Sequence, residues 1–266
     1  MVGSLTRTIV SIPEALIELL FVLVAVACFV GLHAWLQRRL SSEKLRRQND
    51  VAGYLFSAVG ILYAVVLGFV VVVVWQKYDA TVSNVENEVD AAADLYHVAD
   101  GLPDSVRLPV RSDLRNYAQA MITVEWPAMA RDQTVPDTAA AFLEDLSHRV
   151  QTFVPKDARE QDSQQAAIAN VERLFDSRRE RLVHAAPAVP SVLWFALIVG
   201  ALAMVAFCYI FGVENKPAQL MMTGILVGLI VILFVVIYEF ETPFSGSVKI
   251  SSDGWTVLQE RIPNIR

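Results

Sequence analysis

The fold is decided by residues 51–75, which read VAGYLFSAVGILYAVVLGFVVVVVW and contain no charged side chain. The hydrocarbon core of a bilayer is about 30 Å thick, so a helix needs about 20 apolar residues to cross it. This stretch therefore predicts a transmembrane helix. Three further stretches, residues 13–36, 189–213 and 218–238, are also long and apolar. Because lipid offers no partner to an open sheet edge, all four are predicted to be helices.

The composition of the whole chain is that of a membrane protein. Of its 266 residues, 55% are hydrophobic, and the mean hydropathy is +0.44. The net charge of -6 argues against nucleic acid as a partner, because nucleic acid selects basic surfaces. Cys28 and Cys208 both lie in apolar stretches, where they are predicted to act as small hydrophobic side chains. We therefore expect one part of the chain to lie in the lipid bilayer and another part in water.

The order of the segments predicts an all-α membrane protein. Its four transmembrane helices form two hairpins, and a helical-bundle extramembrane domain is inserted between helices 2 and 3. The predicted segments are the first transmembrane helix and a basic loop (1–50), the second transmembrane helix (51–76), the helical bundle (77–188), the third and fourth transmembrane helices (189–240) and a polar C-terminal segment (241–266).

The bundle helices are predicted from apolar side chains that recur at three- and four-residue steps. The stripes are Val110, Leu114, Tyr117, Met121 and Val124; then Phe142, Leu146, Val150 and Phe153; then Ile168, Val171, Phe175 and Leu182. No strand-like alternation competes with these patterns, so a helical bundle with short connections is expected.

The distribution of basic residues predicts the orientation. The loop at residues 37–50 carries five basic residues, whereas only Arg7 precedes the first span. The positive-inside rule then puts this loop in the cytoplasm and the central domain outside. Four arginines before the third span favour the opposite orientation, although charges in long loops count less. They are Arg173, Arg178, Arg179 and Arg181.

One face of the second span carries small side chains. Six residues at three- and four-residue steps share this face and are called the seam here: Gly53, Ser57, Gly60, Ala64, Gly68 and Val71. Small residues on one face allow either close helix packing or a water-filled lumen, and both interpretations stay open.

The seam continues beyond the membrane as a heptad-like apolar stripe. Its later members are Trp75, Tyr78, Val82, Val85, Val89, Ala92, Tyr96 and Ala99. No proline occurs between Val51 and Leu102, so the second span is predicted to be continuous with the first bundle helix. Such a helix is about 75 Å long at about 1.5 Å per residue.

No catalytic, metal or cofactor site is predicted, because no motif for any of them occurs. Asp90, Asp94 and His97 share a helix face, which is more typical of a solvated surface than of a metal site. Seven residues near span ends are candidates for a pore mouth or gate: Asn49, Asp50, Trp75, Glu239, Glu241, Pro243 and Phe244. Acidic rings at a pore mouth attract cations in an oligomer, but a polar boundary with a turn explains Glu239 and Glu241 as well.

From about Asp50 to Ile262 the chain resembles a bacterial bestrophin-like family of membrane proteins. The resemblance is carried by the order of the segments and by three motifs. These are Gly60-Ile61-Leu62-Tyr63-Ala64-Val65-Val66-Leu67-Gly68-Phe69, Glu125-Trp126-Pro127 and Glu241-Thr242-Pro243-Phe244-Ser245-Gly246. Bestrophins are pentameric anion channels whose second transmembrane helix lines the pore. The resemblance thus implies a homo-oligomeric channel for inorganic ions in a bacterial inner membrane, favours a pentamer and favours the seam as pore lining.

Two features depart from the bestrophin pattern. The bestrophin calcium clasp places an acidic run after its Pro-Phe-Gly, whereas Ser245-Gly246-Ser247-Val248 follows Pro243-Phe244 here, so calcium gating is not expected. Bestrophins also keep their large domain in the cytosol, whereas the charge distribution puts it outside. Two functions therefore stay open. One is a homo-oligomeric ion channel, and the other is a membrane-anchored sensor or scaffold whose helical domain binds a ligand or partner.

Overall fold

The computed structural model describes residues 8–10, 12–39, 49–131 and 134–262. The helices in chain order are α1 (Ile12–Arg39), α2 (Asn49–Val98), α3 (Asp104–Ala120), α4 (Trp126–Ala130), α5 (Thr138–Thr152), α6 (Ala158–His184), α7 (Ser191–Ile210), α8 (Lys216–Glu241) and α9 (Asp253–Arg261). The strands are β1 (Thr8–Val10) and β2 (Val248–Ile250). Lys44, Arg46 and Arg47 of the basic loop lie outside the described residues.

Four helices of the described chain are long and apolar enough to cross a membrane, which confirms the predicted spans. They are α1, α2, α7 and α8, the last three beginning within two residues of the predicted starts. The third span ends three residues earlier than predicted, at Ile210. The arrangement of the four spans as two hairpins stays a prediction.

The chain divides into two compact units. The span unit comprises residues 11–77 and 187–241, and the bundle unit comprises the described parts of 1–10, 78–186 and 242–266. α2 enters both units and is one uninterrupted helix of 50 residues, as the sequence predicts. It ends in a 3-10 turn (Ala99–Gly101), after which Pro103 cannot continue a helix.

Within the span unit, α1 packs along α8, and α7 contacts both. Side chains of α2 join this group through Leu67, Val70 and Val74, which form a buried cluster with Leu197 and Ile237. Bulky side chains such as Ile61, Leu62 and Phe69 are two-thirds exposed or more, as expected of helices whose solvent is lipid.

Within the bundle unit, α3 packs on α5, α5 on α6, and α9 on α3. Asp157 caps α6, because its carboxylate accepts a hydrogen bond from the backbone N–H of Glu160 at 2.8 Å. The ring of Trp255 is fully buried and meets Tyr117 edge to face, with the ring centroids 5.3 Å apart. The bundle unit thus has a core of its own.

Two predicted stripes are displaced. In α6 the buried face consists of Ala167, Asn170, Val171, Leu174, Ser177 and Arg181, whereas the predicted Phe175 is 36% exposed. After α3, residues Met121–Glu125 form a π turn. Its wider spacing buries Glu125 completely and leaves the predicted Val124 only half-buried.

A short antiparallel pairing of β1 with β2 was not predicted. Each strand has three residues, which is too short for a recognisable alternation of side chains. Before β2 the chain turns at Gly246, whose φ of 81° favours glycine.

Candidate functional site

The seam lies about a quarter of a helical turn away from the face of α2 that packs in the span unit. That packing face carries Tyr63, Leu67, Val70 and Val74, of which the last three are buried. On the seam, Ser57, Ala64 and Gly68 are exposed, and Gly53 and Val71 are half-buried. The seam therefore points mostly away from the other described spans of its own chain.

Glycines of the seam differ in what surrounds them. A Cβ atom added at Gly53 or Gly68 would meet no atom of another described segment within 4 Å. A Cβ atom added at Gly60 would lie 3.2 Å from Cε of Met204 in α7. Close packing inside the chain thus accounts for Gly60, but it does not account for Gly53 or Gly68.

At the start of α2, the two candidate pore-mouth residues have different surroundings. The side-chain amide of Asn49 donates to the carbonyl oxygen of Gly212 at 2.8 Å and accepts from the N–H of Gly212 at 3.0 Å. Asp50 is exposed. Asn49 therefore fastens α2 to the segment that follows α7, while the carboxylate of Asp50 faces solvent or another molecule.

At the end of α8, both candidate glutamates are buried within the chain. Glu239 is 5% exposed and Glu241 is 6% exposed. The carboxylate of Glu241 accepts hydrogen bonds from the backbone N–H of Val189 at 2.9 Å and from Nε1 of Trp194 at 3.0 Å. Glu241 thus holds the chain before α7 against the end of α8.

The aromatic and proline candidates also make defined contacts. Trp75 is 56% exposed and meets Phe240 edge to face, with the ring centroids 5.8 Å apart. The carbonyl oxygen of Pro243 accepts from the N–H of Ile250 at 2.8 Å. Phe244 is buried against Trp126, with the centroids 5.6 Å apart. A pore-mouth or gating role for any of these residues stays a prediction.

A buried ionic network in the bundle unit was missed by the sequence analysis. Arg181, Glu88 and Glu125 have no solvent exposure. Nε of Arg181 donates to Glu88 at 2.7 Å, and one of its terminal nitrogens donates to Glu125 at 2.7 Å. Arg178 donates to the other oxygen of Glu125 at 2.8 Å. The network thus joins α2, the π turn and α6.

The charges of this network balance, since two arginines face two glutamates. The hydroxyl of Tyr117 donates a hydrogen bond to the carboxylate of Glu88 at 2.7 Å. Burial, reinforced by the negative charge of Glu88, raises the pKa of Tyr117 well above its usual range. The two carboxylates raise the pKa of Arg181 despite its burial, so its guanidinium stays charged. A buried charge is tolerated only when it is paired and hydrogen-bonded in this way.

A recognisable signal for these residues was present in their spacing. Glu88 lies seven residues before Leu95, and Arg181 lies seven residues after Leu174, each on a buried helix face. Stripes traced through apolar residues alone leave out Glu88 and Arg181. The seven-residue spacing to Leu95 and Leu174 is the available signal, and neither leucine belongs to the predicted stripes.

The described residues hold no group of three His, Cys, Asp or Glu side chains placed to bind a metal ion. Asp90, Asp94 and His97 instead line a cleft of about 420 Å³ in the bundle unit, together with Arg173 and Arg261. Arg173 pairs with Asp94 at 3.3 Å. The cleft is therefore a charged surface that can bind a ligand.

One comparison with known proteins identifies a family. A family model described as a Bestrophin-like domain matches residues 19–254. No curated protein matches the chain.

Solved structures of a bacterial Bestrophin homolog from Klebsiella pneumoniae are similar to this chain. One mutant structure has 11% identity, covers 89% of this chain and 97% of that chain, and has a TM-score of 0.69. A second mutant has 12% identity, coverages of 89% and 98%, and a TM-score of 0.66. A further structure of this homolog has 12% identity, coverages of 88% and 96%, and a TM-score of 0.65. At such identities the likeness concerns the fold alone.

Proposed function

This chain belongs to the Bestrophin-like domain family, and we propose that it is a homo-oligomeric ion channel whose pore is lined by the seam of α2. The proposal requires several copies, because a single seam encloses no lumen. Resemblance to bestrophins favours a pentamer. The permeating ions are inorganic, and the membrane is the inner membrane of a bacterium.

The observation that carries this proposal is the unfilled space along the seam. A Cβ atom added at Gly53 or Gly68 has no neighbour within 4 Å in the part of the chain that the structure describes, and Ala64 is exposed. A small side chain that faces lipid brings no advantage in stability, because a larger side chain contacts lipid equally well. Small side chains that face a lumen keep it wide enough for hydrated ions. Within the membrane-spanning part of α2, bulky exposed residues such as Leu62, Phe69 and Val73 lie on other faces, where they can contact lipid or a neighbouring copy.

The pore-mouth part of the proposal rests most on Asp50. Its exposed carboxylate lies at the end of the seam, so an oligomer repeats it as a ring of charge. Glu239 and Glu241 are buried, and the carboxylate of Glu241 is occupied by two hydrogen bonds. Their contribution would therefore be to hold the span ends in place around the pore.

Conductance of the purified chain in planar bilayers tests the proposal. Ala64→Phe and Gly68→Phe place a ring on the seam and are expected to lower the single-channel conductance by roughly tenfold or more, because an apolar constriction dewets. Ala58→Phe is the matched control, since Ala58 is exposed on the same helix about 120° from the seam. It should leave the conductance unchanged.

Two results would contradict the channel proposal. One is a stable oligomer that carries no current with varied ions and voltages. The other is an equal loss of current in Ala58→Phe and Gly68→Phe, which would mean that the seam has no special place in conduction.

The cleft of about 420 Å³ favours the second candidate, a membrane-anchored sensor or scaffold. Its lining of two aspartates, two arginines and a histidine suits a small polar ligand. Under this function the chain carries no current, and crosslinking in cells captures a stable partner. Crosslinking that captures only copies of the chain itself would argue against it.

The orientation proposed here follows the loop charges. The basic loop at residues 37–50 lies in the cytoplasm, and the bundle unit lies outside. Resemblance to bestrophins favours the reverse, with the large domain in the cytosol. A measurement of the orientation therefore decides between the argument from loop charges and the argument from the family.

A further inference from the structure

A polar cluster lies inside the span unit, near the end of α1. The imidazole of His33 has no solvent exposure. Its Nδ1 atom lies 2.9 Å from the hydroxyl oxygen of Thr223 in α8, and its Nε2 atom lies 3.3 Å from the amide nitrogen of Gln37. Polar side chains are costly inside a membrane-spanning segment, so a buried cluster that contains an ionisable group indicates a role beyond packing.

The amide of Gln219 in α8 sets the direction of the hydrogen bonds in this cluster. Its nitrogen lies 3.1 Å from the carbonyl oxygen of Cys208 and 2.6 Å from that of Phe211, and a carbonyl oxygen can only accept. The amide oxygen of Gln219 therefore faces Gln37, whose amide nitrogen donates to it at 2.9 Å. The second hydrogen of this nitrogen is directed to Nε2 of His33.

Both ring nitrogens of His33 are thereby assigned. Nε2 accepts from Gln37, so it carries no proton. The hydroxyl of Thr223 donates its one hydrogen to the backbone carbonyl oxygen of Gln219 at 3.0 Å, so its oxygen accepts from Nδ1 of His33. His33 is therefore neutral in this arrangement and carries its proton on Nδ1.

A second proton on His33 is incompatible with this cluster. It would place the N–H group of Nε2 against the N–H group of Gln37. The amide of Gln37 cannot turn over to accept from the ring, because its oxygen would then take the place of the nitrogen that donates to Gln219. Protonation of His33 therefore breaks a hydrogen bond that the neutral ring makes.

The side chains that surround the imidazole do not compensate for a positive charge. From α7, the ring of Tyr209 lies 4.7 Å from it between centroids, and Cys208 lies beside Thr223. The partners from α8 and α1 are Thr223, Gln219 and Gln37, none of which titrates. The attraction of an aromatic ring for a cation is smaller than the cost of burying an unpaired charge.

Charged side chains near the cluster in sequence point to solvent. They are Arg38, Arg39 and Lys216, all of which are exposed. Among the described residues, no charged side chain contacts the imidazole of His33. A protonated His33 would therefore be a buried charge without a counter-charge from this part of the chain.

The cluster also reaches the start of α2. The carbonyl oxygen of Phe211 accepts from Gln219, and the next residue, Gly212, exchanges two hydrogen bonds with the amide of Asn49. The cluster thus joins the end of α1 and the start of α8 to the segment that holds the start of α2.

We propose that His33 is a proton-operated switch in the contact between α1 and α8. The neutral imidazole fastens the two helices together. Below about pH 6.5, where a solvated histidine takes up a proton, the contact loosens at the end of the span unit where α2 begins. Arg39 ends α1 about 9 Å beyond His33, so water is close enough to supply the proton. The switch does not depend on conduction.

The protonation state of His33 in the purified full-length chain tests the assignment. Histidine ring nitrogens are isotope-labelled and observed by solid-state nuclear magnetic resonance in phospholipid bilayers at about pH 8. The signal of His33 among the four histidines is the one that His33→Gln removes. We expect a ring protonated on Nδ1 and not on Nε2. A ring protonated on Nε2, alone or together with Nδ1, would overturn the proposal.

Thermal unfolding in detergent tests the switch. The folded cluster excludes a proton that the unfolded chain binds in acid, so stability falls as the pH is lowered. Between about pH 8 and about pH 5, the melting temperature should fall by roughly 4 °C more in the unaltered chain than in His33→Gln. The glutamine amide can accept from Gln37 and donate to Thr223, but it does not titrate.

His148→Gln is the matched control for this measurement. His148 is exposed in α5 of the bundle unit. This variant should keep the full pH dependence of the unaltered chain. An equal fall of the melting temperature in the unaltered chain, His33→Gln and His148→Gln would count against the switch.

Gln37→Glu keeps His33 and tests the switch even if His33→Gln does not fold. A carboxylate at this position accepts from a protonated Nε2 and supplies the missing counter-charge. Acid should then strengthen the contact between α1 and α8, so the melting temperature should fall less than in the unaltered chain as the pH is lowered. A fall that is equal or steeper in Gln37→Glu would refute the role given to His33.

Discussion

Arg181 is a fully buried guanidinium that contacts two carboxylates, two methionine sulfur atoms and a tryptophan ring. Its nitrogens lie 3.1 Å from Sδ of Met129 and 3.4 Å from Sδ of Met121. Its Cζ atom lies 5.2 Å from the ring centroid of Trp126. Since all of these groups approach one planar side chain, Arg181 fixes the positions of α2, α6 and the π turn together.

Removal of Arg181 is expected to be strongly destabilising. Arg181→Leu leaves the carboxylates of Glu88 and Glu125 buried with fewer partners, which typically costs about 3–5 kcal/mol. Arg179→Leu is the control, because Arg179 is 73% exposed and, among the described residues, pairs with Asp176 alone. It should change the free energy of unfolding by less than about 0.5 kcal/mol. Denaturant unfolding in detergent measures both, and similar values for the two variants would refute the role given to Arg181.

The buried hydroxyl of Tyr117 predicts a loss of stability in alkali. Its folded-state pKa is raised by burial, so above about pH 10 the unfolded chain loses this proton while the folded chain keeps it. The tyrosine therefore stabilises the fold below about pH 10, and this contribution falls by up to about 1.4 kcal/mol per pH unit above it. Stability between pH 8 and pH 11 should fall less steeply in Tyr117→Phe. Parallel curves for the two proteins would contradict this prediction.

The helices can be predicted from the sequence, but their buried faces can be predicted only in part. Apolar periodicity identified α2, α3, α5 and α6, because most of their buried positions are apolar. It failed where buried positions are polar, as at Glu88 in α2 and Arg181 in α6. The partners that make such a buried charge tolerable, Glu88 and Arg181, lie 93 residues apart in the chain, and local periodicity does not show that they meet. The π turn also shifts a register that regular periodicity assumes to be constant.

The contact between α2 and α7 depends on Gly200. A Cβ atom added there would overlap the ring of Tyr63, which lies on the packing face of α2. Gly200→Ala is therefore expected to destabilise the span unit by about 1–3 kcal/mol. Gly31→Ala is the control, since a Cβ atom at Gly31 meets no described neighbour within 4 Å. Thermal unfolding in detergent should show this difference, and Tyr63→Leu should restore stability to Gly200→Ala. Equal melting temperatures for the two alanine variants would argue against this contact.

For the whole molecule, the sequence predicts the change of solvent better than it predicts the packing. Residues 51–75 contain no charge and the next 25 contain many, so one helix must pass from lipid into water. That inference requires only the local sequence. The packing of α1 on α8 depends on contacts between the two ends of the chain, which local periodicity does not contain. The seam could be predicted as a face, but its open surroundings at Gly53 and Gly68 required the structure.

The orientation of the molecule in the membrane can be tested by labelling single cysteines. In a chain whose Cys28 and Cys208 are replaced by alanine, single cysteines at the exposed positions Asp50 and Glu144 report the two sides of the membrane. The loop charges predict that an impermeant maleimide on intact cells labels Glu144→Cys in α5 and spares Asp50→Cys. Permeabilised cells should label both, which shows that each thiol is reactive. Labelling of Asp50→Cys alone in intact cells would place the bundle unit in the cytosol. The charge argument would then be wrong, because charges in the long central segment would have outweighed the short basic loop.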